Sequence, residues 1–296
     1  MPPKPKKIDV DVNDFFRRIV RLKKKKKFAN FLKFIKRVPK QSPLNDSLVF
    51  IQNCNCFYYA TAKQWKNKFG RKVKDDAQPL IVLVPFGPVM FVYDIKDTKG
   101  KSLDKKNLFW WKEKEGYFHE SIYLNTANNC KNVGIDYRIG KKEQYIFKEG
   151  LQTFGYAGKN INNNLRKIEL HPKYQNGINI KETYGVLCHE LAHHLLGHLG
   201  EIKIEIPVQM SLFSSKVNVR HKKIAPSGRE SIDDNIKELE AELTAWIVFS
   251  CWGMEKNSEA YMANWLIDSN DAKEINYPLV FKVAGTIKRM ALGKIA

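Results

Sequence analysis

The chain has 296 residues, 43% of them hydrophobic and 12% aromatic, which suits one large or two modest domains and excludes wholesale disorder. The best apolar run, Leu80 to Tyr93, is broken by Pro85 and Pro88 and falls short of the roughly 18 residues a membrane helix needs, and no apolar signal core follows the charged N-terminus. The net charge is +20, and residues 1–40 carry +12 of it, 15 Lys and Arg against three Asp, a block that attracts polyanions through counterion release.

Residues 1–14, with Pro2, Pro3 and Pro5 set among lysines, read as a flexible basic leader. Phe15 to Val38 reads as one or two amphipathic helices. Phe28, Phe31, Leu32, Ile35 and Val38 fall at helical spacing, Lys33, Lys36 and Arg37 lie opposite, and Pro39 and Pro43 end the stretch. Leu48 to Ile51, Leu80 to Val84 and Val89 to Tyr93 are rich in β-branched and aromatic residues and are expected to be strands. Thr61 to Phe69 reads as a helix closed by Gly70. These elements make residues 15–105 a small α+β domain, and residues 106–160, polar and without clear period, take the place of a connection.

Residues 161–296 alternate differently. Arg166 to Leu170 reads as an edge strand stopped by Pro172. Lys181 to His198 is a helix with Tyr184, Leu187, Leu191, Leu195 and Leu199 on one stripe, ended by Gly197 and Gly200. Ile202, Ile204 and Ile206 alternate with Lys203 and Glu205 as a half-buried strand, and residues 211–231 read as a polar loop. Ser231 to Asp234 offers the capped start of a helix running to about Trp252, and Glu259 to Asp268 opens another. The fold class is α+β throughout.

The chemistry concentrates in His189-Glu190-Leu191-Ala192-His193. Two imidazoles one helical turn apart project from one face and can share one tetrahedral zinc ion. Zinc lowers the pKa of a bound water toward about 7, and the adjacent Glu190 is placed to take its proton as general base. The pattern is short, but here it sits on an apolar-striped helix, which is the context it requires. A third ligand is needed. A His ten residues after the first would make the metzincin form, but that position is Leu199. The gluzincin solution is a carboxylate on a second helix. In Lys237-Glu238-Leu239-Glu240-Ala241-Glu242, Glu238 and Glu242 share one face, and Glu240 lies roughly 200° away. We assign Glu238 to the metal and Glu242 to orienting a ligand imidazole, with the opposite assignment left open. Tyr184, His171, His198 and His221 are candidates for an oxyanion stabiliser, none selected by spacing; His198 also suits a helix cap.

These residues resemble a known family. Thr183 to Gly197, TYGVLCHELAHHLLG, is similar to the zinc helix of the ArdC-type antirestriction proteins and their ImmA/IrrE-like relatives, and ELEAELTAWIVFSCWGM is similar to their second helix. Tyr261-Met-Ala-Asn-Trp265, Gln64-Trp65 with Phe69-Gly70-Arg71-Lys72-Val73, and Phe91-Val-Tyr-Asp94 with Thr98-Lys-Gly100 also resemble the family's elements. The resemblance covers roughly residues 28–104 and 165–268. It implies an N-terminal domain that binds single-stranded DNA, a zincin-like (gluzincin) metallopeptidase domain, and cytoplasmic action on incoming plasmid or phage DNA. The lysine-rich leader and residues 105–160 depart from the family's pattern.

The residues themselves agree in part. Single-strand binding needs cations for phosphate and flat rings for bases. Lys23, Lys24, Lys25, Lys26, Lys27, Lys63, Lys66, Lys68, Arg71 and Lys72 supply the first, and Trp65 is the candidate among interleaved aromatics (Phe57, Tyr58, Tyr59), with a place in the core as its bland alternative. Single-stranded DNA is the expected partner and double-stranded DNA the alternative, beside an unidentified peptide or protein substrate. Five scattered cysteines fit a reducing cytoplasm, not a disulfide framework. The competing functions are a regulatory protease of the ImmA/IrrE sort that cuts a repressor, and a non-catalytic DNA-coating protein with structural zinc.

Overall fold

A computed structural model describes residues 30–31, 33–35, 38, 42–83, 89–103, 118–140, 155–159, 165–174, 179–208, 218–254 and 274–294. Its elements in chain order are α1 (Pro43–Gln52), β1 (Tyr59–Ala60), α2 (Ala62–Phe69), β2 (Arg71–Val73), β3 (Leu80–Val82), β4 (Met90–Asp94), β5 (Thr98–Gly100), α3 (Glu120–Cys130), β6 (Ile135–Ile139), β7 (Gly155–Lys159), β8 (Arg166–Leu170), α4 (Ile180–Leu195), β9 (Ile202–Val208), β10 (Asn218–Ala225), α5 (Asp234–Cys251) and α6 (Tyr277–Ala291). Helices and small sheets mix along the described residues, which is an α+β arrangement. Among the described residues no helix is long and apolar enough to cross a membrane.

In the N-terminal part, α2 is fixed locally. The Thr61 hydroxyl accepts from the Gln64 N–H at 3.1 Å, and Gln64 Oε1 accepts from the Thr61 N–H at 2.9 Å. That reciprocal pair satisfies two backbone donors at the helix start. Gly70 ends α2 at φ 61°, a left-handed value that glycine tolerates without strain. Leu80–Val82 and Met90–Asp94 pair antiparallel, as their β-branched content suggests. Leu48 to Ile51 corrects the sequence reading, for these residues lie inside α1. A short apolar run has no period to separate a strand from a buried helix. Pro43 at the first position suits the start of a helix.

A mixed sheet of order β6–β8–β7 lies behind the candidate site, with β6 parallel and β7 antiparallel to β8. Arg166 to Leu170 is therefore the central strand, not an edge. Arg166, Ile168 and Leu170 are buried, while Lys167 and Glu169 alternate with them. Strand adjacency depends on partners distant in sequence, which one strand's own pattern does not encode. Residues 120–159, read as a connection, supply α3, β6 and β7 to this layer. The polar-loop reading of 211–231 is also corrected, since Asn218–Ala225 pairs antiparallel with β9, Lys222 opposite Ile204.

α4 rests on the sheet with one face and on α5 with the other. Leu187, Cys188, Leu191 and Leu195 are almost wholly buried. The two helices are antiparallel, because Gly185, His189 and His193 meet Phe249, Glu242 and Glu238 in reverse order. Gly185 permits the close approach. A Cβ there would lie 2.9 Å from the Phe249 ring. α6, which the sequence left unread, packs on α5, α3 and α1. Phe31 meets Phe281 edge-on at 5.4 Å, so buried side chains from Phe31 to Ala291 join one core. Phe31 and Ile35 are helical and buried with Val38, in line with the expected apolar face, and Phe34, not placed on that face, is buried as well. Phe28, Leu32, Lys36, Arg37, the Lys23–Lys27 run, the expected helix from Glu259 and the Tyr261–Trp265 element lie outside the described residues.

Candidate metal centre

α4 begins at Asn179, whose side chain accepts from the Glu182 N–H at 3.3 Å. From that start, helical spacing puts His189 and His193 on the face turned to α5. Their Nε2 atoms lie 3.2 Å apart. Glu238 faces both, Oε2 at 3.3 Å from His189 Nε2 and Oε1 at 3.4 Å from His193 Nε2. One ligand atom from each of the three residues falls within 4.8 Å of the others, which fits a single metal ion. Two nitrogens and a carboxylate oxygen are the donor set zinc takes in sites that keep one position open.

Glu242, one turn along α5, brings Oε2 to 3.3 Å from the other nitrogen of His189, Nδ1. Burial opposes charge on the His189 ring, yet hydrogen bonds to Glu238 and Glu242 outweigh it and raise the ring to about 9. The two imidazoles in turn hold Glu238 well below the usual carboxylate range. This pair of carboxylates stabilises positive charge between the helices, which a proton or a divalent cation can supply.

Glu190 faces a cleft of about 1070 Å³ that His189, His193, Glu238 and Glu242 also line. Burial raises its carboxyl above the ordinary value, and the neighbouring His189 and His193, with a backbone hydrogen bond from Ala157 on β7, partly offset the rise. Among the described residues β7 is one edge of its sheet, and it forms part of the cleft wall with Gly155, Tyr156 and Ala157. The fit against α4 is close, since a Cβ on Gly155 would lie 2.7 Å from Val186 and 2.8 Å from Glu190 Oε1.

The four oxyanion candidates separate. Tyr184 is a core residue that accepts from Trp252 Nε1 at 3.1 Å. His171 Nδ1 accepts from the Lys173 N–H, and His221 sits exposed on β10. His198 does line the cleft, but its ring joins His193 to Glu240 instead of facing open space. Sequence reading missed two features here. One is Tyr156, 53% exposed at the cleft wall. The other is Glu240, which is fully buried and also accepts from Arg229 and from the Asn276 N–H. Its place between Leu239 and Ala241, on the far side of α5 from Glu238, was the available signal: a carboxylate entering a core requires partners.

The residues assigned to nucleic acid divide as well. Lys63, Lys66, Lys68 and Lys72 are exposed on α2 and β2. Trp65 is wholly buried, packs against Phe69 and donates from Nε1 to Tyr93 O at 2.9 Å. It has no face to offer a base, so its bland reading as a core residue is the one that stands. Arg71 donates to Thr98 Oγ1 at 2.7 Å, Thr98 O at 2.8 Å and Lys101 O at 2.6 Å. Its guanidinium binds β5 and the chain beyond it, which gives this half-buried residue a role in the fold beside the expected phosphate contact.

No family model matches this chain, and no curated protein does. Among solved structures it is similar to the crystal structure of antirestriction ArdC protein from the R388 plasmid, a Mn(II)-bound form, with 16% identity and a TM-score of 0.40 over 96% of this chain and 97% of that one.

Proposed function

We propose that the chain joins a zinc-dependent peptidase centre to a DNA-binding N-terminal part, and that it acts in antirestriction, as its motifs' resemblance implies. The observation that carries the hydrolytic half is the convergence of His189 Nε2, His193 Nε2 and Glu238 in the cleft that Glu190 lines. His189, His193 and Glu238 would hold the ion, with Glu242 setting the His189 ring. When bound, a divalent cation there supplies Lewis acidity for water activation and carbonyl polarisation. Glu190 takes the proton from the attacking water and returns it to the leaving amine, and the rise that burial gives its carboxyl favours its holding that proton between the two steps. The edge of β7 borders the place where a peptide would lie.

The DNA half rests on charge. Lys63, Lys66 and Lys68 project from α2 into solvent, and residues 1–40 add +12. Residues 15–105 are the DNA-contacting part in this reading, and residues 161–296, with the strands before them, form the zincin-like part. The working setting is the cytoplasm, on single-stranded DNA.

The test is Glu190→Gln. It should keep one zinc per chain by elemental analysis and lose cleavage of a mixed peptide library. A variant that cleaves as well as the parent sinks the catalytic assignment. Retained DNA protection without cleavage leaves the DNA-coating function alone.

A further inference from the structure

We infer that His198 is a positioning residue of the metal centre, with Glu240 and Arg229 behind it, and that it fixes which nitrogen of His193 is left bare. The inference rests on the metal-centre reading above.

The geometry begins with the turn that follows α4. Gly197 and Gly200 both take left-handed φ values, 81° and 91°. A Cβ at Gly197 would lie 2.4 Å from Pro226 O, so only glycine lets the chain turn this tightly here. The turn folds the chain back on the helix, where the His198 N–H donates to His193 O at 3.0 Å. The His198 ring then lies beside the His193 ring, Nδ1 to Nδ1 at 3.0 Å. Its other nitrogen, Nε2, is 2.9 Å from Glu240 Oε2.

Proton accounting sets the direction of this chain. Glu240 is fully buried and accepts from Arg229 Nη2 on Oε2 and from the Asn276 N–H on Oε1 at 2.7 Å. A carboxylate fed by a guanidinium is ionised and can only accept. His198 Nε2 must therefore be the donor. With its N–H given to Glu240 through Nε2, the His198 ring presents Nδ1 to His193 Nδ1 at 3.0 Å as the lone-pair side of that contact. The contact to His193 then requires a proton on His193 Nδ1. Its Nε2 is left bare, facing His189 Nε2 and Glu238. A ligand histidine commonly gives its second N–H to a carboxylate or carbonyl. Here the carboxylate acts one ring further out, and the connection ties the centre to the 226–233 loop through Arg229 and to the start of α6 through Asn276.

Two measurements test this on the full chain. In wild-type protein loaded with zinc and labelled with 15N-histidine, two-bond 1H–15N correlation should find the His198 proton on Nε2 and the His193 proton on Nδ1. A proton on His198 Nδ1, or coordination through His193 Nδ1, overturns the inference. In chelator competition, His198→Phe should weaken zinc binding about 10- to 100-fold at unchanged stoichiometry. His198→Gln, whose amide can accept from one side and donate to the other, should recover most of that loss. Equal affinity of His198→Phe and wild type, or equal weakening in both variants, overturns the positioning role. A wild-type chain that takes up no zinc, or that keeps its zinc after His189→Ala, overturns the metal-centre reading itself and is thereby distinguished from failure of the relay. The wild-type measurement stands even where a variant does not fold.

Discussion

Glu242 Oε2 lies 3.3 Å from Nδ1 of His189, while Glu238, one turn earlier on the same helix, faces Nε2 of that ring. Two carboxylates thus address the two nitrogens of one imidazole. The distinction predicts unequal losses. Glu238→Ala removes a ligand and should abolish stoichiometric zinc binding. Glu242→Gln keeps an oxygen for the Nδ1–H and removes only its charge, so affinity should fall about 10- to 100-fold. Isothermal titration with zinc reads both. The reverse ranking would exchange the two roles.

Gly155→Ala addresses the cleft wall. The new methyl would meet Val186 at 2.7 Å and Glu190 at 2.8 Å, so β7, α4 or the Glu190 carboxyl must shift. The helix bearing His189 and His193 is held on its other face by α5, so the strand and the Glu190 side chain are the parts expected to move. Peptide hydrolysis should fall at least about tenfold, as a displaced general base implies, while zinc affinity stays near that of the parent. A parallel loss of both would show that the metal cluster, not the wall, absorbed the strain.

Why α4 and α5 were legible while their surroundings were not follows from where the information sits. The Tyr184–Leu187–Leu191–Leu195 stripe and the Glu238–Glu242 spacing are local periodicities, so helix, face and candidate ligands could all be read within one or two turns. The remaining errors concern relations between distant residues. Leu48–Ile51 has the composition of a strand, but Phe31, Phe281 and their neighbours provide a helical groove for it. β8 could not be known as central before β6 and β7 were placed on either side of it. His198 looked like a helix cap because its carboxylate partner, Glu240, which Arg229 also holds, stands 42 positions further along. Trp65 has the residue type of a DNA surface but serves the fold.

That last distinction separates two kinds of variant in the N-terminal part. Trp65→Ala empties a buried indole site and should cost about 3–5 kcal/mol of stability, read as a lowered urea midpoint. The triple change Lys63→Ala, Lys66→Ala and Lys68→Ala touches only exposed side chains and should leave the midpoint within about 0.5 kcal/mol of the parent value. It should weaken binding to a fluorescent single-stranded oligonucleotide and make the slope of log affinity against log salt shallower by about 0.7 for each phosphate that is no longer neutralised. An unchanged slope would remove α2 from the DNA-contacting surface.

Asp46 predicts a pH dependence set away from the metal centre. It is wholly buried in α1, where Oδ1 accepts from the Tyr59 hydroxyl at 2.7 Å and Oδ2 has no hydrogen-bond partner among the described residues. Burial pushes its carboxyl up to about 7, against the opposing pull of Lys288 and of the Tyr59 bond. Between about pH 4 and 7 the folded chain holds this proton while the unfolded chain has released it. Unfolding therefore becomes easier as pH rises through that window, by up to about 1.4 kcal/mol per pH unit from this group. The contribution is complete below about pH 4 and gone once pH passes the folded value. Asp46→Asn keeps the acceptor for Tyr59 and mimics the protonated acid, so it should flatten the decline. Urea midpoints of wild type and variant measured from pH 4 to 8 make the comparison. Parallel curves would mean that Asp46 is already ionised within the fold, with Lys288 as its effective counter-charge.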